Sequence, residues 1–323
     1  MSRSTLSPTL RNADSVLLRH DPVRIWEQLG ADGDRCSQVE ILQLRNKSAV
    51  YRLIGAGLDG EPVIAKRCRR RIARLEQFIY EDFLPPLAVS ALRCYGRVEE
   101  ADSEFDWLFL EEAGGTEYSP SNAEHRALAG RWLGTIHLAA VSDSLAARLP
   151  ERGPDHYLRL LRLTRDQLCE HEANPRWAGA AAVLLRSLAA HCDAIEACWS
   201  RVKEYYAATP RGLVHGDFVI KNLRVRNSDA GLTLLVFDFE NAGWGVPSGD
   251  LAACSSREAA PDLAAYSASL GPNRVSIALL KKLVACGRIF RMLDCIHWAA
   301  RAPAISFLAV YEPRMAQALR AFG

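Results

Sequence analysis

The sequence predicts an α+β fold in which a small lobe built on an antiparallel sheet precedes a larger helical lobe. Before residue 113 the apolar residues recur mostly with the period of two that half-buried strands show. After that point they recur at spacings of three and four, as in amphipathic helices. The 323 residues are enough for two lobes. We therefore expect an N-terminal extension over residues 1–35, a sheet lobe over 36–112 and a helical lobe over 113–323.

The sheet lobe is predicted to contain five strands and one helix. Three alternating runs form a meander, and Asp59-Gly60 supplies turn chemistry before the third of them. A helix follows and is ended by Pro85-Pro86, because proline cannot continue it. The predicted strands are 38–44, 49–54, 62–66, 93–98 and 106–110, and the helix covers 73–84.

Helices dominate the second lobe. Ser119-Pro120 places a capping residue before a proline in the first turn, which predicts a helix start. The last predicted helix is apolar but is interrupted by Arg288, Arg291 and Asp294, so it is unsuited to span a membrane. Further helices are expected over 155–171, 177–206, 261–270 and 274–300, and strands over 212–215, 223–225 and 232–237.

Composition excludes several classes of protein. The 40 Lys and Arg residues nearly balance 38 Asp and Glu, and this argues against a protein built to neutralise nucleic-acid phosphates. The basic run Arg67–Arg74 is interpreted as a solvated face rather than a nucleic-acid surface. Residues 1–19 contain no signal-peptide core, and the nine cysteines form no C-x-x-C pair. We expect a cytoplasmic protein with neither nucleic-acid nor membrane partners, and no feature indicates a particular oligomeric state.

The most informative stretch lies between residues 213 and 238. An apolar run leads into His215-Gly216-Asp217, and Asn222 follows five positions after the aspartate. A second apolar run leads into Asp238, sixteen residues beyond Asn222. Two carboxylates and an amide at strand ends can converge on one point. Phosphoryl transfer needs such a set, because a carboxylate orients the attacking hydroxyl while oxygen ligands hold Mg²⁺.

With these motifs the chain resembles the aminoglycoside phosphotransferase and choline kinase superfamily. The resemblance rests on His215-Gly216-Asp217-x4-Asn222, on Asp238 and on Asp250-Leu251-Ala252, with Val63-Ile64-Ala65-Lys66 and Glu76-x3-Tyr80 upstream. It implies a bilobal protein-kinase-like fold. It also implies ATP and Mg²⁺ as cofactors and the hydroxyl of a small molecule as the acceptor of the γ-phosphate.

The resemblance also implies a role for individual residues. Asp217 would be the catalytic base, Asn222 and Asp238 the Mg²⁺ ligands, and Lys66 the phosphate-binding lysine that Glu76 orients. Asp250 would brace the backbone of the catalytic loop, and we interpret His215 as structural support for that loop. The hinge that binds adenine through its backbone would be 108–113, with Glu111 and Ala113 as its contacts.

Two positions depart from the kinase pattern. The loop 45–48 contains no glycine, so Ser48 or backbone N–H groups are expected to replace the usual phosphate flap. Asp238 is followed by Phe239-Glu240 rather than by Phe-Gly. Glu240 is therefore either a further metal or substrate ligand or a solvated acid.

The charge distribution bears on the acceptor. Residues 1–112 carry a net charge of −2 and residues 113–323 a net charge of +4. This favours a neutral or singly charged hydroxylated acceptor (a sugar, nucleoside, macrolide or small amino-alcohol metabolite) over a polycation. The alternatives are a non-catalytic pseudokinase module and a protein kinase, although 239–249 is short for an activation loop. Acids that could line a pocket for a cationic acceptor are Asp155, Asp166, Glu170, Glu172, Glu240 and Asp262.

Overall fold

A computed structural model describes residues 21–30, 35–45, 47–87, 89–139, 141–228, 231–253, 258–271, 275–301 and 304–322. These residues form two compact units. Unit 1 comprises the described residues up to 86 together with 90–114 and 235–240, and unit 2 comprises 87–89, 115–234 and 241 onward. The segment that carries Asp238 thus belongs to the N-terminal unit, although it follows more than a hundred residues of unit 2.

Unit 1 contains the predicted five-stranded sheet. The spatial order is β1-β2-β3-β5-β4, and every neighbouring pair is antiparallel. The α+β fold class is confirmed, with the sheet in the N-terminal part and most helices in the C-terminal part. The strands are β1 (Gln38–Arg45), β2 (Ser48–Ile54), β3 (Val63–Arg69), β4 (Cys94–Glu99) and β5 (Phe105–Glu111).

One face of this sheet forms the core of unit 1. Alternation along the strands places Tyr51, Ala65 and Phe109 on that face, where each is completely buried. The short helix α1 (Pro22–Glu27) adds Trp26, whose ring centroid lies 5.1 Å from that of Phe109. The described part of the predicted N-terminal extension therefore contributes to this core.

The unit's main helix begins earlier than predicted. Helix α2 (Arg70–Phe78) starts directly after β3 and buries Ala73, Leu75 and Phe78. It continues as a π-helical turn, Ile79–Phe83, and ends before the two prolines as expected. The apolar pattern predicts the buried face of this helix. It does not show where the helix begins, because the first two residues are arginines.

Several arginines of the basic run Arg67–Arg74 are paired with acids of the same unit. Arg67 makes a two-pronged contact with Glu100, with N···O distances of 2.6 and 2.8 Å. Arg70 donates to the completely buried Asp106 at 3.0 Å, and Arg74 lies 3.0 Å from Glu99. Part of the charge of the basic run is therefore neutralised by acids within unit 1.

Nine helices follow in the described part of unit 2. The first begins at Ala123 and not at Ser119-Pro120, because Asn122 accepts the N–H groups of the first turn. The helix predicted over 177–206 is two helices that meet at Cys198. The nine helices are α3 (Ala123–His137), α4 (Asp143–Ala146), α5 (Pro154–Glu172), α6 (Ala180–Ala197), α7 (Trp199–Ala207), α8 (Ser248–Leu251), α9 (Leu263–Ser269), α10 (Ile277–Ala300) and α11 (Ile305–Phe322).

Two small sheets accompany these helices. One has the order β10-β9-β6 and the other the order β7-β11-β8, in which β11 runs parallel to β7 and antiparallel to β8. Strand β8 is completely buried and leads directly into the His-Gly-Asp motif. The strands are β6 (Thr116–Glu117), β7 (Glu151–Arg152), β8 (Gly212–Val214), β9 (Leu223–Ser228), β10 (Gly231–Val236) and β11 (Gly243–Gly245).

Helix α10 is the longest helix described and packs closely against α8. Gly287 faces Ser248 so tightly that a Cβ would collide with the Ser248 carbonyl oxygen. The buried residues of α10 are apolar, and the partly buried Arg291 and Asp294 stand among them. In the described part of the chain, no helix is both long and apolar enough to cross a bilayer.

Candidate active site

The catalytic loop, defined here as residues 215–222, turns sharply after β8. Gly216 has a φ of +76°, which residues with a side chain rarely adopt. A Cβ at this position would also collide with the carbonyl oxygen of Asn241. The turn delivers Asp217 at the end of a rigid, buried strand, so the position of its carboxylate is set by the sheet.

Asp250 holds this loop from behind. Its two carboxylate oxygens accept the backbone N–H groups of His215 at 2.6 Å and of Gly216 at 2.9 Å. Burial would raise the pKa of Asp250, but the hydrogen bond with His137 and the electrostatic influence of the two imidazoles, His137 and His215, hold that pKa below its usual value. Asp250 thus ties the backbone of this loop to α8.

His137 extends this support to a third element. Its Nε2 lies 3.3 Å from Asp250, and its Nδ1 lies 3.2 Å from the hydroxyl of Tyr266 on α9. This pairing could not be predicted from the sequence, because His137 lies more than a hundred positions before Asp250 and Tyr266. His215 is completely buried, and its backbone N–H is one of the two that Asp250 accepts.

Asn222 closes the catalytic loop around Asp217. Its Nδ2 donates to the Asp217 backbone carbonyl at 2.9 Å and to Asp217 Oδ2 at 3.3 Å. Because the amide nitrogen is committed to the loop, the amide oxygen is the atom left for a metal ion. Lys221 Nζ lies 3.4 Å from Asp217 Oδ2 and is otherwise largely exposed.

Arg291 of α10 contacts the other oxygen of Asp217. Its Nη2 lies 3.1 Å from Asp217 Oδ1, and its Nη1 donates to the Gly216 carbonyl at 2.8 Å. Burial would lower the pKa of the guanidinium, but the acidic groups around it, Asp217 foremost, together raise it. We did not predict this contact. The signal for it was present in the sequence, as a charge that interrupts an apolar helix.

In unit 1 the predicted nucleotide-binding residues form a cluster of their own. Lys66 Nζ lies 2.7 Å from Glu76 Oε1 and 2.6 Å from Asp238 Oδ1. Burial would lower the pKa of Lys66, but the two carboxylates raise it well above its usual value. Burial raises the pKa of Glu76 to about 7, which the charge of Lys66 only partly offsets. The lysine is therefore held as a cation between two acids.

Glu240 lies within electrostatic range of this cluster. Its negative charge contributes to the raised pKa values of Glu76 and of Cys68, which burial dominates in both cases. Glu240 is half-buried. The structure thus places it near the predicted metal ligand Asp238, and the choice between a ligand and a solvated acid stays open as a prediction.

The predicted hinge lies at the end of β5. The Glu111 N–H donates to the Arg93 carbonyl at 2.8 Å, and the Glu111 carboxylate accepts the Arg93 N–H at 3.1 Å. Among the described residues, the Ala113 N–H has no protein acceptor. Of the glycine-free loop, Asn46 lies outside the described residues, and the Ser48 hydroxyl accepts a hydrogen bond from Gln43 at 3.1 Å.

Several acids proposed for an acceptor pocket have other partners. Asp262 is the N-cap of α9 and accepts the Ala265 N–H at 2.7 Å. Glu172 is paired with Arg186 at 2.6 Å. Asp166 lies 3.4 Å from Arg165 and is mostly exposed. Asp155 and Glu170 are exposed on α5.

Each of the two predicted metal ligands has the donor chemistry that Mg²⁺ prefers. In the described part of the chain, no group of three or more His, Cys, Asp or Glu residues is arranged to enclose a metal ion. Mg²⁺ rarely needs such a cage, since it is usually held by one or two protein oxygens together with phosphates and water. The Asn222 amide oxygen and the Asp238 carboxylate are hard oxygen donors of this kind.

A lysine held by two carboxylates and a braced His-Gly-Asp loop define the class of kinase-like phosphotransferases. A profile of the phosphotransferase enzyme family (APH) matches residues 41–280. The chain therefore belongs to this family, and the resemblance that the sequence motifs indicated is confirmed. The search of curated protein sequences yields no match.

Solved structures share the fold at low sequence identity. One is an aminoglycoside phosphotransferase, APH(2")-IIa, bound to streptomycin and ATP, with 15% identity over 99% of both chains and a TM-score of 0.60. Another is an ethanolamine kinase of Plasmodium vivax, with 13% identity over 98% of this chain and 95% of that one and a TM-score of 0.62. A third, a microcompartment-associated aminopropanol kinase, has 15% identity over 94% and 95% and a TM-score of 0.58.

Proposed function

We propose that this protein is an ATP-dependent O-phosphotransferase that moves the γ-phosphate to a hydroxyl group of a small molecule. The observation that carries the proposal is the geometry around Asp217, whose loop is fixed by Asp250 and whose carboxylate is held by Asn222 and Arg291. Phosphoryl transfer asks mainly for positioning and for neutralisation of charge. The family membership and the ATP-, ethanolamine- and aminopropanol-related neighbours support the same conclusion.

The reaction follows from the side chains. The acceptor oxygen attacks the γ-phosphorus, the bond from that phosphorus to the β–γ bridging oxygen breaks, and ADP leaves with the electron pair. Asp217 accepts a hydrogen bond from the acceptor hydroxyl and then its proton. Lys66 offsets negative charge on the α- and β-phosphates. A Mg²⁺ ion held by Asn222 and Asp238 would neutralise further phosphate charge when bound.

Substitution of Asp217 tests the base. In Asp217→Asn the side chain keeps its size but cannot take the proton, so we expect kcat to fall by about 10²- to 10⁴-fold. ATP affinity, measured by calorimetry, should stay within about twofold because the substitution leaves the nucleotide-binding side chains in place. The exposed Asp166→Asn variant serves as the matched control for the change in charge.

The same assay separates the alternatives. Equal turnover in the parent protein and Asp217→Asn would remove Asp217 from the mechanism. ATP binding with no turnover over a broad panel of hydroxylated molecules would identify a pseudokinase module. Labelling of proteins without labelling of small alcohols would identify a protein kinase.

A further inference from the structure

The face of α10 beyond Arg291 carries a second charged residue, Asp294, one turn further along the helix. Arg291 is fully engaged by Asp217, by the Gly216 carbonyl and by Glu258, whose Oε1 lies 3.6 Å from its Nε. Asp294 differs, because among the described residues it has neither a hydrogen bond nor an ion pair within 4.0 Å.

The surroundings of Asp294 are charged nevertheless. Burial raises its pKa to about 6, against the opposing effect of the Arg291 and Arg152 guanidinium groups. A desolvated carboxylate without a donor is unfavourable, and such groups concentrate where a ligand supplies the missing partner. The charge of Asp217 also acts on Asp294, so the two carboxylates lie in one neighbourhood.

Arg152 approaches this neighbourhood from β7. Its side chain runs over Gly243 of β11, where a Cβ would collide with Arg152 Cγ. Its Nη1 lies 3.0 Å from Nε2 of His156, an imidazole whose pKa burial and the arginine lower to about 4, so the neutral ring accepts the bond. Arg152 Nε is buried and has no acceptor among the described residues. Arg152 therefore retains donor capacity, as Asp294 retains acceptor capacity.

Tyr157 adds a third polar group. Its ring stacks on Phe290 of α10, with 4.1 Å between centroids and an interplanar angle of 8°. Its hydroxyl makes no hydrogen bond with any described residue, and its pKa is raised by burial and by the charge of Asp294. The stacking holds the Tyr157 ring against Phe290, which lies one helical turn before Asp294 on α10.

We propose that Arg152, Tyr157 and Asp294 form the acceptor subsite, and that it takes a zwitterionic hydroxyl compound such as a hydroxy-α-amino acid. The ammonium group would bind Asp294, the carboxylate would bind Arg152 and Tyr157, and the transferable hydroxyl would reach Asp217. Arg152 and Asp294 attract each other but form no direct pair, so a molecule with both charges satisfies both residues. A polycation would instead bring additional ammonium groups towards Arg291 and Arg152.

This proposal rests on the proposed function, but equilibrium binding tests it separately from turnover. The probes are L-serine, ethanolamine, which lacks the carboxylate, and 3-hydroxypropanoate, which lacks the ammonium group. L-homoserine, 3-aminopropanol and 4-hydroxybutanoate form the same trio with one more carbon. Binding to the full chain is measured by calorimetry in the presence of ADP and Mg²⁺. We expect the loss of either charged group to weaken binding by about tenfold to a hundredfold.

Variants assign each charge to its residue. Asp294→Asn should lower the affinity for the amino acid to that for the hydroxy acid, and Arg152→Met should lower it to that for the amino alcohol. The exposed Asp166→Asn and Arg131→Met variants should leave all affinities unchanged.

Three results would overturn the proposal. They are equal binding of amino acid and amino alcohol by the parent protein, unchanged amino-acid binding by Asp294→Asn, and no binding of either amino acid. Loss of ATP turnover in every assay, by contrast, would count against the proposed function and leave the binding result standing.

Discussion

Replacing Asp294 with asparagine should stabilise the protein at neutral pH. The pKa of this carboxyl is raised from 3.8 to about 6 by burial, so the folded protein holds the proton more tightly than the unfolded chain does. The stabilisation that this proton gives is complete below about pH 4 and is lost as the pH rises through about 6. Asparagine has no proton to lose, so it avoids that loss.

The size of the effect follows from the shift. Two pKa units correspond to about 3 kcal/mol at 1.36 kcal/mol per unit, and this is an upper bound. Asp294 is only partly exposed, but solvent that reaches it screens part of the interaction, so we expect about 1–3 kcal/mol. Relative to the parent protein, Asp294→Asn should gain this much stability between about pH 4 and about pH 7.

Urea denaturation at a series of pH values measures this difference. The free energy of unfolding of each variant is obtained from the midpoint and slope of the transition. The exposed Asp166→Asn variant carries the same change of charge and should show no such gain. A difference between Asp294→Asn and the parent that is the same at every pH would refute the reasoning, since it would mean that Asp294 does not change its ionisation on folding.

Two further substitutions probe the support of the catalytic loop. Asp250→Asn leaves one of the two backbone N–H groups, of His215 or of Gly216, without its acceptor and removes the charge that holds the other, so we expect a loss of about 2–4 kcal/mol in urea denaturation. An unchanged midpoint would contradict the bracing role. Arg291→Met removes the donors to Asp217 and Gly216 and should lower kcat about tenfold to a hundredfold with little change in ATP affinity. Arg291→Lys should recover only part of the rate, because lysine lacks the fork of donors, and an unchanged kcat in Arg291→Met would exclude a positioning role.

The sheet of unit 1 was predictable because its signals are local. The alternation along β2 and β3 involves residues only a few positions apart, and the two residues Asp59-Gly60 are enough to predict the turn before β3. The helix start at Ala123 was predicted wrongly for an equally local reason. Ser119 and Asn122 are both good capping residues, and only the hydrogen bonds from Glu124 and His125 decide between them.

Other features depend on contacts that a linear pattern does not encode. The break at Cys198 lies within a continuous run of helix-forming residues, so propensity predicts one helix where packing gives two. Helix α11 was not predicted, and it contains an internal proline, Pro313, which normally argues against a helix. Tertiary packing outweighs both local signals.

The residues of the candidate site show the same contrast between local sequence signals and long-range contacts. Asp217, Asn222 and Asp238 were identified because they form motifs of fixed spacing. The residues of the acceptor subsite come from β7, α5 and α10, and no spacing relates them. The only local signal of that subsite in the sequence was the pair of charged residues, Arg291 and Asp294, that interrupts the apolar pattern of α10. A charged residue within an apolar helix is therefore a useful indicator of function in sequence analysis.

Helix α10 also limits how this enzyme can change. Gly287, Arg291 and Asp294 follow one another at intervals of four and three residues, so they lie along one stripe of the helix. The first sets the distance to α8, the second holds the Asp217 carboxylate and the third belongs to the proposed acceptor subsite. Inserting or deleting a single residue between two of them would rotate one part of the stripe by about 100° relative to the other, so at least one of the three would lose its position. New acceptor preferences should therefore arise in this chain by substitution along α10, whereas changes of length are expected only in its connecting loops.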